Sequence, residues 1–228
     1  MDLLLDPPLP GPANMARDEL LLTQAVERGR AAVRWYAWSP ATLSLGYFQD
    51  DEPDVRPELP RVRRLSGGGA IVHDAEWTYA VAAPSGVLGE TRALYAKLHE
   101  AIVTELTAAG LDVAMRGVDE PALDDSFLCF GRGDRHDILS GRRKVVGSAQ
   151  RRRGGAVLQH GSVALDVVPV AERVGFGDFA RAVTARLGDA RDAAWTDDEA
   201  DYADRWAAAK YATLDWTAEL RRGPRRVP

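Results

Sequence analysis

Hydrophobic positions along this chain follow two different periods. In MARDELLLTQAVERG, Leu20, Leu21, Gln24, Ala25 and Arg28 fall at helical spacing. Asn14 stands where a helix cap belongs, and Gly29 stands at the stop. A second helix is predicted from about Thr91 to Ala108: Leu94, Leu98, Ala101, Ile102, Glu105 and Leu106 recur near 3.6 residues, and Gly110 follows. The C-terminal stretch also reads as helical, in FGDFARAVTARLG and TDDEADYADRWAAAKYA.

Between these lie β-rich runs. AAVRWYAW (31–38) and TLSLGYF (42–48) read as strands separated by a Ser-Pro break. RVRRLSGGGAIVHDAEWTYAVAA (61–83) reads as strand, glycine turn, strand, and LDVAMRG (111–117) as a further strand. DEPALDD (119–125) is an acidic loop, and FLCF (127–130) is a short apolar run. Two hairpins follow, turning at Ser140-Gly141 and at Gly154-Gly155. The order helix, strands, helix, strands, helices predicts an α+β fold: one domain with a mixed, largely antiparallel sheet flanked by helices. Residues 1–13, proline-rich from Asp6 to Pro12, are expected to be an extended lead-in to a single catalytic domain over 14–228.

Composition narrows the function classes. The 228 residues carry a net charge of −5, which argues against a nucleic-acid partner. One cysteine excludes an internal disulfide and fits a reducing cytoplasm. The N-terminus lacks the basic region and apolar core of a signal peptide. No run approaches the roughly 18 apolar residues of a membrane span.

Gly67-Gly68-Gly69 completes neither dinucleotide nor phosphate-loop fingerprints, and the histidines lack zinc spacing, so no metal is expected. A lone cysteine is ordinarily a small buried hydrophobe. Cys129, however, precedes a glycine-containing turn with Arg132 and Arg135 close by, and Lys144 opens the opposing hairpin strand. A neighbouring ammonium lowers a thiol from its usual pKa of about 8.5 and favours the reactive thiolate. The triple glycine leaves bare backbone for a ligand chain. Arg64 would supply positive charge at its entrance, and His73 serves either structure or substrate. Strand alternation places Lys144 and Val146 on one face, Val145 and Gly147 on the other. Gly147-Ser148-Ala149 and Gln159-His160-Gly161-Ser162 are small, polar runs that admit close approach of a ligand. Arg151, Arg152 and Arg153 read as an exposed turn face or a receiver for an acidic partner.

NMARDELLL, WSPATLSLGYFQ, RRLSGGGAIVHDAEWTYAV, GRRKVVGSAQRR, LQHGS and the tail YADRWAAAKYATLDWTAELRR together resemble the superfamily of lipoate–protein ligases, biotin ligases and octanoyltransferases, from about Asn14 to Arg222. The resemblance implies a class II synthetase-like, biotin-ligase-type catalytic domain. Within the superfamily the chain is most similar to cysteine-dependent octanoyltransferases of the LipM type, because Cys129-Phe130 stands upstream of G-R-R-K-V-V-G-S-A-Q. The chain departs from that pattern in GRGDRHDIL, where the family has an aromatic-rich segment. From its length the chain is expected to lack the accessory domain of stand-alone ligases.

The resemblance implies Cys129 and Lys144 as catalytic residues. It implies a substrate site of Arg64, Ser66, Gly67, Gly68, Gly69, His73, Tyr79, Gly147, Ser148, Ala149, Gln150, His160, Gly161 and Ser162. Leu45, Tyr79 and Val81 are candidates for an apolar slot. The implied donor is octanoyl acyl carrier protein. The implied acceptor is a lipoyl-domain protein, such as the glycine cleavage H protein or a 2-oxoacid dehydrogenase acyltransferase subunit. A monomer is expected, with no nucleic acid or membrane partner and no cofactor. Two alternatives remain open at this point: an ATP- and Mg-dependent lipoate ligase in which Cys129 is passive, and a carrier-binding homologue without catalysis.

Overall fold

A computed structural model describes residues 1–117 and 134–217. Among the described residues, eight strands form one sheet. Their chain positions are β1 (Asp2–Leu5), β2 (Ala32–Tyr36), β6 (Glu76–Pro84), β7 (Ala114–Met115), β8 (Ile138–Ser140), β9 (Arg143–Arg153), β10 (Ala156–Ala164) and β11 (Arg191–Ala193). Their spatial order is β11-β1-β2-β6-β10-β9-β8-β7. The two pairings of β1 are parallel, and the others are antiparallel. This is the predicted mixed, largely antiparallel sheet. A smaller sheet has the order β4-β3-β5, from Arg61–Arg63, Thr42–Leu45 and Ile71–His73.

Both faces of the large sheet are covered. Helices α2 (Thr91–Ala108) and α3 (Phe176–Leu187) pack on one face, around Trp35, Tyr79, Val81, Leu98, Ile102, Phe179 and Val183. Helix α1 (Gly11–Arg28) packs on the other, around Leu21, Tyr36, Ala80, Ala82, Leu158 and Tyr211. Strand residues therefore alternate between the two cores, which is why β10 is buried along its whole length and β6 up to Ala83.

The α2 bounds match the period read from the sequence, and Gly29 ends α1 in the left-handed conformation at φ 64°. Gly154 and Gly155, at φ 54° and 77°, close the β9–β10 hairpin as the glycine pair predicts. Helix α4 (Asp197–Trp206) opens on a capping box between Thr196 and Glu199 and runs into a π-turn over Ala207–Tyr211.

Several expectations need correction. Residues 2–5 join the sheet rather than leading into it, and α1 starts at Gly11 after Pro10. Asn14 is already inside the helix, and its amide donates to the Leu9 and Ala37 carbonyls, 3.0 and 3.1 Å away. β4 and β5 do not form a hairpin across the glycine turn; each pairs with β3. β11 was missed because a three-residue edge strand has no detectable period. The acidic loop 119–125, the run 127–130 and Cys129 itself lie outside the described residues.

Candidate active site

Four segments meet on the α1 face of the large sheet: α1, the glycine loop between β4 and β5, the start of β6, and the facing stretch of β9 and β10. The glycine loop is held by Arg64, which is buried. Its guanidinium donates to the Gly67 and Gly69 carbonyls at 2.9 and 2.6 Å, and to the Ser44 carbonyl at 3.0 Å. The charge expected at the entrance thus also gathers the loop's own backbone. Gly46 lets the loop approach: a Cβ there would lie 2.0 Å from the Gly68 carbonyl oxygen.

Two histidines line this space, each with both ring nitrogens engaged. His73 Nδ1 is 2.5 Å from Glu76 Oε1, and its Nε2 is 2.7 Å from Ser44 Oγ. A carboxylate only accepts, so Nδ1 is the donor and Nε2 receives the Ser44 hydroxyl. The ring stacks on Trp38 at 3.8 Å. Glu76 also accepts from Thr78 and Ser162, at 2.6 and 2.9 Å. His160 Nε2 meets Ser66 Oγ, and its Nδ1 is 3.1 Å from Asp18 Oδ2. Asp18 in turn holds the fully buried Arg34 at 2.8 Å and the Tyr36 hydroxyl at 2.9 Å. Arg34 also binds Asp6 at 2.6 Å. Burial pushes the Asp6 carboxyl up, but Arg34 and Arg17 more than offset this and leave it below the usual range.

Lys144 enters from β9. Its side chain is buried, and Nζ lies 3.0 Å from the equally buried Asp137 Oδ1. Burial raises the Asp137 carboxyl above its ordinary pKa against the pull of Lys144. Simple alternation fails here. Ile138 pairs with Val146 and Leu139 with Lys144, so β9 carries one extra residue against β8. This bulge re-aims the lysine, whose stem now lies over Gly147, where a Cβ would come within 2.5 Å of Lys144 Cε.

Beyond the bulge, β9 and β10 split their motif residues between the faces. Gly147, Ala149, His160 and Ser162 line a narrow cavity, with Ser148 and Gly161 contributing. Met15, Tyr36, Trp38, Arg64, Gly68, Ile71, His73 and Thr78 complete its wall, and Lys144 stands at its end. Lys144 and Ile71 also border an open cleft of about 540 Å³, rimmed by Asp74, Arg142, Arg143 and Asp166. Tyr79, Val81 and Leu45 do not supply the slot; they are core residues, because Tyr79 and Val81 point to the α2 face and Leu45 lies in the small-sheet core. The Tyr79 hydroxyl instead meets Ser148 Oγ at 2.8 Å, and Gln150 donates to Gln159 at 2.7 Å. Of the three arginines, Arg153 is tied to Glu19 at 2.8 Å, Arg151 lies over Tyr47, and only Arg152 is exposed.

The model for the lipoyl protein ligase A/B catalytic domain matches residues 10–182. The chain belongs to this family. Octanoyltransferase LipM of Moorella thermoacetica is 40% identical over 175 residues, 71% of this chain and 64% of that protein. Octanoyltransferase LipM of Symbiobacterium thermophilum is 38% identical over 186 residues, 72% of this chain and 65% of that one. The match thus spans under two thirds of the length of these curated relatives. The fold is that of a bipartite lipoate protein ligase from Thermoplasma acidophilum, at TM-score 0.72 and 21% identity, with 98% of each chain covered. It is also that of a lipoate-protein ligase A bound with ATP, at TM-score 0.71 and 24% identity, covering 96% of this chain and 98% of that one.

The sequence reading missed Asp18, Glu76, Asp137 and Trp38, which the geometry brings to the site. Glu76 follows His73 by three residues, and Asp18 follows Asn14 by one helical turn; both spacings were visible. Asp137 gave no signal, because its partner depends on the bulge. Among the described residues no cluster of His, Cys, Asp or Glu is arranged to hold a metal ion, and no helix is long and apolar enough to cross a membrane.

Proposed function

We propose that this chain is an octanoyltransferase of lipoate assembly, moving an octanoyl group from acyl carrier protein to a lysine of a lipoyl-domain protein. The observation that carries this reading is Lys144: a buried lysine at the junction of a narrow cavity and an open cleft. The LipM relatives, 34–40% identical, support octanoyl as the group moved.

Cys129, fifteen residues before Lys144 in the Cys-Phe pair, is the proposed nucleophile. Its Sγ attacks the thioester carbonyl carbon of the donor. A new S–C bond forms, the carrier's S–C bond breaks, and the carrier sulfur leaves as a thiol after taking a proton. The acceptor lysine's amine then attacks the same carbon; a C–N bond forms, the C–Sγ bond breaks, and the amine's proton passes to the released sulfur. Lys144 stabilises the Cys129 thiolate before the first attack and again as it leaves in the second, and relays these protons. Thioester to amide is downhill, so ATP and metal are not needed. The narrow cavity, with Met15, Tyr36, Trp38 and Ile71 in its wall, takes the aliphatic tail. Arg64, Ser66, Gly67, Gly68, Gly69, His73, Gly147, Ser148, Ala149, His160, Gly161 and Ser162 shape the site. The cytoplasm is the compartment and the monomer the working form.

Octanoyl transfer to a purified lipoyl domain, followed without ATP, tests the proposal. Transfer that is lost in Cys129→Ser supports it. Transfer that requires ATP and releases pyrophosphate assigns the chain to lipoate ligation instead.

A further inference from the structure

Behind the sheet, on the side away from the cavity, α2 presents His99 and Tyr95 one turn apart. His99 is fully buried. Its Nδ1 meets the His136 carbonyl, and its Nε2 meets Ser148 Oγ. A carbonyl only accepts, so Nδ1 carries the proton and Nε2 offers its lone pair to the hydroxyls of Ser148 and of Tyr79, the latter 3.0 Å away. Ser148 Oγ also meets the Tyr79 hydroxyl at 2.8 Å and accepts from Gln159 at 3.3 Å. Tyr95 adds a bond to the Ser148 carbonyl at 3.1 Å and stacks on His136 at 5.2 Å. Gly161 leaves the room this needs, since a Cβ there would lie 2.4 Å from the Tyr79 hydroxyl.

Two of the groups bound by His99 are neighbours of the two that fix Lys144. His136 precedes Asp137, whose carboxylate holds the ammonium. Ser148 follows Gly147, against which the lysine stem rests. We propose that His99 is a positioning residue that ties the Asp137 turn to the Gly147-Ser148 segment and so fixes Lys144; the catalytic consequence rests on the role given to Lys144 above. The ring suits this use because burial lowers its pKa to about 4 and keeps it neutral, with one donor and one acceptor.

Two readouts on the intact protein test the assignment. The first is the rate at which Lys144 reacts with an amine-acetylating reagent, read peptide by peptide by mass. The second is the rate of octanoyl loading from octanoyl acyl carrier protein. His99→Leu is expected to raise Lys144 labelling several-fold and to slow loading about a hundredfold with KM unchanged. His99→Asn, whose amide nitrogen can reach the His136 carbonyl, is expected to restore most of the protection. If His99→Leu does not fold, Ser148→Ala, which removes the hydroxyl held by Nε2, carries the test and is expected to raise Lys144 labelling in the same way. Lys144 labelling that stays at the wild-type rate in folded His99→Leu or Ser148→Ala overturns the proposal. Labelling that follows His99 in a wild-type protein that never loads octanoyl would sink the octanoyl reading and leave the positioning role standing.

Discussion

Lys144 Nζ and Asp137 Oδ1 lie 3.0 Å apart, both buried, the lysine on β9 and the aspartate just ahead of β8, two strands whose register is broken by one extra residue. Removing one partner of a buried pair leaves an uncompensated charge, a loss of about 3–5 kcal/mol. Asp137→Ala is expected to lose stability of that order in urea unfolding and to slow acyl loading. A variant as stable as wild type would show that the pair is not needed.

Gly147→Ala separates chemistry from folding. The new methyl would come within 2.5 Å of Lys144 Cε and 2.8 Å of Nζ, the far end of a flexible side chain. The tip of the lysine is expected to shift within reach of Asp137 while the backbone stays, giving a strong loss of activity with a stability change of about 1 kcal/mol or less. Gly161→Ala meets the Gly147 carbonyl and the Tyr79 hydroxyl at 2.4 Å. Neither group can yield cheaply, so stability falls by about 1–3 kcal/mol. Paired denaturation and transfer assays distinguish the two.

The features that were legible in the sequence were the local ones. The 3.6 period of α2, the Gly154-Gly155 turn and the glycine run between Arg64 and Ile71 each encode their geometry within a few residues. The pairing of β4 and β5 with β3, and the docking of β1 beside β11, depend on residues far apart and left no periodic trace. The site divided in the same way. Gly147, Ser148, His160 and Ser162 stood out as small polar residues in strand patterns. Tyr79 was misplaced because the face it occupies is set by the register of β6 in the sheet. Asp137 and His99 acquire their meaning only through the bulge at Val145 and the packing of α2.

Asp18 anchors Arg34, Tyr36 and His160 together. Asp18→Asn is expected to cost about 3–5 kcal/mol, since the buried guanidinium loses one of its two carboxylates. Addition of the same change to Asp6→Asn should be far from additive, because both act on Arg34. Additive losses in a double-mutant cycle would contradict the network.

His99 makes stability depend on acid. Its pKa falls from the ordinary 6.5 to about 4 in the fold, so the unfolded chain binds more protons between these values. Stability is expected to fall as pH drops from about 6.5 toward 4, by about 3 kcal/mol for this group. Tyr79, Tyr95, His136 and Lys144 surround the ring, and His99→Asn removes its share alone. A wild-type and a variant protein with the same slope over that range would refute the buried neutral histidine.

The central claim is that Cys129 carries the acyl group. Intact-mass analysis after mixing with octanoyl acyl carrier protein tests it directly. The expected result is one octanoyl adduct, removed by hydroxylamine and missing in Cys129→Ser. An unmodified wild-type protein that still transfers octanoyl, or an adduct that persists in the serine variant, would contradict it.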